Sequence, residues 1–178
     1  MTGLQHDPIT IKNDMRDEVL EVIRKEMLTG TKAKIYQALC RKCKSGSISE
    51  EEFKEQEFQH FPSFTISPTG LGFCSHAWAE SPCKYHYECL ANDADDICED
   101  LLPFVHQRAL DKLTGIEADL QVSLGIIQKR GSTPVVEKWK DHFMVRLRNA
   151  RRLKCEIFAK LPHSNTGMLD DLMGGRNE

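Results

Sequence analysis

Two apolar stripes in the second half of the chain constrain its fold more than any other feature. Leu102, Val105, Ala109, Leu113, Ile116, Leu120, Leu124 and Ile127 recur at intervals of 3, 4, 4, 3, 4, 4 and 3 residues. That is the rhythm of one buried face on a long α-helix. Pro103 is tolerated in the first turn of such a helix, where its missing N–H has no partner to lose. Val136, Trp139, Phe143, Leu147, Ala150, Leu153, Ile157 and Leu161 mark a second long helix. Between the two, Gly131-Ser132-Thr133-Pro134 reads as a stop and then a start, with Thr133 as cap and Pro134 as first helical residue. So short a connection predicts an antiparallel hairpin.

The first third also reads as helical. Asn13 is a candidate cap for a helix carrying Met15, Val19, Val22, Ile23 and Met27 on one face, stopped by Gly30. A second helix is expected over Lys32 to Lys44, with Ile35 and Leu39 inward and Ser45-Gly46 ending it. Ser49 followed by Glu52 is a capping-box pattern for a short helix through about Gln59, which Phe61-Pro62 breaks. Residues 61 to 92 then change character, with prolines 62, 68 and 82, glycines 70 and 72, and clustered aromatic, Cys and His residues. A loop-rich stretch of about 30 residues needs a cross-link to be ordered.

Cysteine supplies the candidate cross-link. Four of the seven cysteines, Cys74, Cys83, Cys89 and Cys98, fall in that region, interleaved with His76 and His86. Zinc takes four thiolate or imidazole donors in a tetrahedron, and thiols at short spacing in a Gly- and Pro-rich loop provide them at low strain. The eight-then-five spacing of Cys74, Cys83 and Cys89 matches the first three ligands of three-Cys-one-His fingers, whose fourth would fall at Asp93. Cys98, His86 and His76 are the substitutes within reach. The competing reading is a set of inert buried thiols. Cys40 and Cys43 also have ligand-like spacing, but they lie on a basic helical segment with no second pair nearby and read as plain helix residues.

The organisation expected is mostly α. An N-terminal helical segment covers 1–60, a Cys/His-rich, zinc-knuckle-like loop region 61–98, a helical hairpin 99–161, and a flexible tail 162–178. With 178 residues, 40% hydrophobic and 29% charged, the chain has enough apolar content for a core. No run approaches the roughly 20 apolar residues of a spanning helix, and Met1 to Pro8 lacks the basic and apolar regions of a signal peptide. An odd number of cysteines without a secretory signal weakens a disulfide framework. A soluble, intracellular and most simply cytoplasmic protein is expected.

The net charge of -3 conceals blocks. Residues 24–44 carry +6, residues 93–121 carry -6, and residues 134–160 carry +5. Such blocks either meet different partners or pair with each other. Arg148, Arg151 and Arg152 share one face of the last helix, where they could neutralise phosphates or pair with the acidic block beside them. Tyr85 and Tyr87, between Cys83 and Cys89, are candidates for stacking on bases or for covering the knuckle core.

Catalysis is hard to assemble from these residues. The chain has no complete Gly-rich phosphate loop, no His-Glu-x-x-His and no Gly-x-Ser-x-Gly. A zinc-deaminase pattern fails because Pro82-Cys83 is followed by Tyr85 and His86 rather than a second Cys, and His76-Ala77-Trp78 lacks the Glu.

The strings Ser67-Pro68-Thr69-Gly70-Leu71-Gly72-Phe73-Cys74-Ser75-His76 and Ser81-Pro82-Cys83-Lys84-Tyr85-His86-Tyr87-Glu88-Cys89-Leu90 resemble a region of large bacterial integrase-like proteins of mobile elements. These are relatives of tyrosine-type site-specific recombinases, and the region lies beyond their catalytic core. Trp139 and His142 echo a Trp and a His in the hairpin that follows there. Where that pattern has another Cys, this chain has Asn92-Asp93, and where it has Asp after the His, this chain has Ala77. The recombinase chemistry needs a tyrosine nucleophile with an arginine pair and histidines, and this chain has no His-x-x-Arg. The resemblance therefore implies a non-catalytic accessory or C-terminal domain of a DNA integration or recombination protein, contacting DNA or a recombinase partner. The alternative from another class is a zinc-stabilised protein-interaction module with no nucleic-acid role.

Overall fold

The computed structural model describes residues 8–61, 67–76, 81–83, 88–92 and 94–161. The expected tail, 162–178, lies outside them. Five helices dominate: α1 (Pro8–Arg24), α2 (Thr31–Lys44), α3 (Glu50–His60), α4 (Gln107–Gln128) and α5 (Pro134–Lys160). Three short strands, β1 (Ser67–Pro68), β2 (Gly72–Cys74) and β3 (Leu101–Pro103), form an antiparallel sheet in the order β1-β2-β3.

Helix α1 starts at Pro8, so Asn13 is an interior residue and not the cap. A proline is preorganised for the first helical turn. The helix also stops earlier than Gly30. Glu26 adopts a left-handed φ of 58°, Met27 N–H donates to the Val22 carbonyl and Glu26 N–H to that of Ile23. This is a Schellman closure, with the buried Met27 and Val22 at its two apolar positions. The chain is then free to run extended, so that Leu28 bridges Phe104 and Thr29 N–H donates to the Pro103 carbonyl.

Gly46, at φ 73°, closes α2 in the same way, through Gly46 N–H to Cys43 and Ser47 N–H to Lys42. The inward face of α2 is Ala33, Tyr36, Gln37 and Leu39, while Ile35 is 40% exposed. The capping box of α3 forms as expected, with Glu52 N–H donating to Ser49 Oγ and Ser49 N–H to the Glu52 carboxylate. The Tyr36 ring is fully buried, edge-on to Phe61 at 5.4 Å.

The largest departure from the periodic reading lies at the start of the hairpin. Leu102 and Pro103 belong to β3, and α4 begins only at Gln107, where His106 Nδ1 accepts from Arg108 N–H. Leu101 through His106 are all buried. Six consecutive buried residues cannot form one face of a helix, and they fit an extended strand inside the core. From Ala109 onward the stripe is helical as expected. Thr133 caps α5 by accepting from Val136 N–H at 3.2 Å, with Pro134 at the first position. The two helices run antiparallel, since Leu124 and Leu147 share a cluster near one end and Glu117 meets Arg151 further along. Trp139 is 54% exposed and does not belong to the inward stripe.

One core joins the three segments read as separate stretches of sequence. It runs from Val19, Ile23 and Tyr36 through Phe73, Leu90 and Leu102 to Leu113, Leu153 and Ile157.

Candidate metal centre

The sheet positions the cysteines. Cys74 ends β2 opposite Leu101 of β3, and Ser75 N–H extends the ladder to the Asp100 carbonyl at 2.8 Å. Gly72 lets β2 approach this closely, because a Cβ there would lie 2.8 Å from Pro103 Cα, against the Leu102 carbonyl. Cys98 N–H donates to the Cys89 carbonyl at 2.8 Å, tying the second and third arms together. The intervening turn is built on Asn92, whose Oδ1 accepts from the N–H groups of Ala94 and Asp96, both at 2.9 Å. Buried Asn149 of α5 donates to the Leu90 carbonyl at 2.8 Å and to the Asp95 carbonyl at 3.1 Å. The cysteine loop is thus anchored on the hairpin.

Cys74 and Cys98 are buried, and Cys83 and Cys89 half-buried. Burial pushes the Cys74, Cys89 and Cys98 thiols up, Cys89 to about 11; neighbouring thiols push in the same direction, while backbone N–H groups and, at Cys74, Lys32 oppose them. Cys89 feels Cys98, Cys74 and Cys83; Cys98 feels Cys74 and Cys83; Cys74 feels Cys83. Two of the sulfurs also accept backbone N–H groups from two residues on, Cys74 from His76 and Cys98 from Asp100. Such bonds favour a thiolate.

Among the described residues, no three His, Cys, Asp or Glu side chains stand close enough together to hold an ion. The chemistry of the four cysteines is that of a zinc donor set, with Cys98 as the candidate fourth ligand. His76 has both ring nitrogens engaged, Nδ1 with Asp100 at 3.3 Å and Nε2 with the Ser81 carbonyl at 2.9 Å. His86, Asp93, Tyr85 and Tyr87 lie outside the described residues.

A polar clamp that the periodic reading missed supports the same loop. Lys32 at the start of α2 pairs with the Asp100 carboxylate and donates to Ser75 Oγ at 3.0 Å. Burial opposes ionisation of Asp100, but Lys32 and His76 prevail and hold it below the ordinary carboxylate value. A Ser beside a Lys has the composition of a catalytic dyad. Here the Asp100 carboxylate engages the Lys32 amine, and Ser75 is buried. Because Asp100 is depressed on folding, its stabilisation is complete above the unfolded carboxylate pKa and is lost as pH falls through its folded value. Asp100→Asn is expected to cost about 2 kcal/mol at pH 7 and to flatten the acid limb of a Tm–pH profile. An unchanged acid limb would count against the clamp.

The arginine face is occupied. Arg151 pairs with Glu117 at 2.7 Å, Arg152 with Asp96, and Arg148 donates to the Asp95 carbonyl at 2.9 Å. Lys154 reaches Glu117 at 3.1 Å and Arg146 reaches Glu88 at 3.1 Å. The acidic and basic blocks meet each other. Arg151 and Lys154 accordingly hold Glu117 below the ordinary carboxylate value. Cys40 and Cys43 sit half-buried on α2, lining a groove of about 310 Å³ with Arg24, Arg41, Lys44 and Phe53. They lie on a different element from the four-thiol cluster.

No family model, curated protein or solved structure matches the chain.

Proposed function

We propose that the chain is a non-catalytic accessory module of a DNA integration or site-specific recombination protein, its loop region cross-linked by a structural zinc. Cys74, Cys83, Cys89 and Cys98 would hold the ion, which supplies a tetrahedral cross-link and no reactive group. The observation that carries this reading is the density of Cys74, Cys83, Cys89 and Cys98 in one loop region whose segments are tied by Ser75 N–H to the Asp100 carbonyl and Cys98 N–H to the Cys89 carbonyl. The resemblance of the surrounding strings to integrase-like proteins supplies the biological setting.

Two further observations agree with a non-catalytic role. Tyr36 is fully buried and bound to Arg24 and Glu57, so its hydroxyl cannot reach a phosphodiester. The Lys32 amine is engaged by the Asp100 carboxylate. No helix among the described residues is long and apolar enough to cross a membrane. A cytoplasmic setting follows from the proposed role.

Elemental analysis of protein purified reduced and without chelator is the direct test, with close to one zinc per chain expected. Protein containing none would end the metal reading. Co-purification with a site-specific recombinase tests the setting.

A second reading, a zinc-stabilised interaction module without nucleic-acid contact, is favoured by the pairing of the α5 arginines with intrachain acids. Changing Arg148, Arg151 and Arg152 together to Gln is expected to alter stability by at most about 1 kcal/mol per exposed pair. It should leave any DNA affinity within about twofold. A marked flattening of the salt dependence of DNA binding would show instead that these arginines leave their partners for phosphates.

A further inference from the structure

The cations of the hairpin divide into two groups. Those near the core are spent on Glu88, Asp95, Asp96 and Glu117. Those at the far end are not: the side chains of Lys129, Arg130 and Lys138 make no hydrogen bond or ion pair among the described residues. Residues 129–142 carry Lys129, Arg130, Lys138 and Lys140 against Glu137 and Asp141, and Lys140 engages Glu137 at 3.6 Å. The free charge at this end is positive.

The same end exposes an aromatic platform. Trp139 is 54% exposed although its spacing continues the apolar pattern of its helix. The indole is braced rather than loose, edge-on to His142 at 6.2 Å and tilted against Phe143 at 5.8 Å. Beside it Pro134, Val135, Lys138 and His142 line an open, largely apolar depression of about 660 Å³. Val135 is 66% exposed. A flat ring, an apolar recess and flanking free cations are what a single strand of nucleic acid requires: a face for an unpaired base and charges for its phosphates. Duplex DNA offers phosphates but no free base face, so it would leave the ring unused.

We infer that the hairpin tip binds single-stranded DNA, with a base stacked on Trp139 and phosphates at Lys129, Arg130 and Lys138. The inference rests on the proposed DNA setting and moves the contact away from the α5 arginines. Strand exchange exposes single-stranded segments, and a stand at the end of two long helices reaches beyond the core to meet them.

The test is fluorescence anisotropy with a labelled 20-nucleotide oligothymidine and a duplex of the same length, both with and without a recombinase partner. Single-strand binding is expected to exceed duplex binding, with a log-log salt slope near -2, from three contacts at about 0.7 each. Trp139→Ala should weaken it about tenfold or more. Because the ring is exposed, the variant's helicity by circular dichroism should match the parent. Changing Lys129, Arg130 and Lys138 to Gln should flatten the salt slope, while the Arg148, Arg151, Arg152 triple change should not. Single-strand binding indifferent to Trp139 and the three cations would overturn the tip assignment and leave the DNA setting intact. A duplex preference would also overturn it. Absence of binding to either probe, even with the recombinase, would remove both. Protection of Trp139 by the recombinase alone would identify the tip as a protein-docking surface instead.

Discussion

Stripping the proposed zinc at neutral pH is expected to loosen the cysteine loop between β2 and β3 while the α4–α5 hairpin stays helical. The amides that report it are those of Ser75 and Cys98, which are bonded across the arms of the cysteine loop to the Asp100 and Cys89 carbonyls. An ion held at a thousand times its Kd adds about 4 kcal/mol to the state that binds it. Exchange at these amides should therefore accelerate on the order of a thousandfold on chelation, with little change at the middle of α5. Uniform acceleration along the chain would contradict a local cross-link, and no change at all would contradict the centre itself. The pH dependence is equally specific. Cys74, Cys89 and Cys98 are held above the ordinary thiol value, so they are protonated at neutral pH and must lose three protons to bind. Apparent affinity should climb by about a thousandfold or more per pH unit through that range. In the metal-free protein the same raised values act in the opposite direction. The stability they confer is present below the unfolded thiol pKa and is lost as pH rises toward about 11.

Gly72→Ala is expected to be among the most damaging single substitutions in the chain. The new methyl would lie 2.8 Å from Pro103 Cα and 2.9 Å from the Leu102 carbonyl carbon, both backbone atoms of the neighbouring strand. The strand cannot rotate them aside, so β2 and β3 must separate. A loss of about 3 kcal/mol or more is expected, lowering Tm by about 10 °C for a chain of this size. Gly115→Ala and Gly125→Ala provide the comparison. Both positions lie within α4, and a Cβ at either meets nothing within 4 Å. Each should stabilise by about 0.5–1 kcal/mol, because alanine is the better helix former. Thermal melts of the three variants decide the point, and equal effects would refute the close-approach account.

What could be read from the sequence depended on whether the signal was local. The caps at Ser49 and Thr133, the stop at Gly46 and the stripe from Ala109 to Ile127 each depend on residues within one or two turns, and each is found in the structure. The strand at Leu101–Pro103 was hidden because Leu102 and Val105 happen to continue the helical spacing of the residues after them. Only the partner strand, about 30 residues earlier, makes that segment extended. Trp139 fits the apolar stripe by spacing, but the core ends before reaching it. The four thiols stood out by density. The Lys32–Asp100 clamp and the Asn149 anchor did not, since a single lysine, aspartate or asparagine carries no periodicity and acquires its role only from distant backbone. The pairing of the α5 arginines was visible as opposed charge blocks, though not which acid each would meet.

The β2–β3 ladder also sets how freely this chain can vary. It clasps the two ends of residues 75–100, so the arc between them is closed at its base whatever its length. Doubling such an arc adds only about 0.6 kcal/mol of closure entropy. The stretch between His76 and Ser81 can therefore be lengthened or rewritten at little cost, while the clasp and the hairpin beneath it remain unchanged.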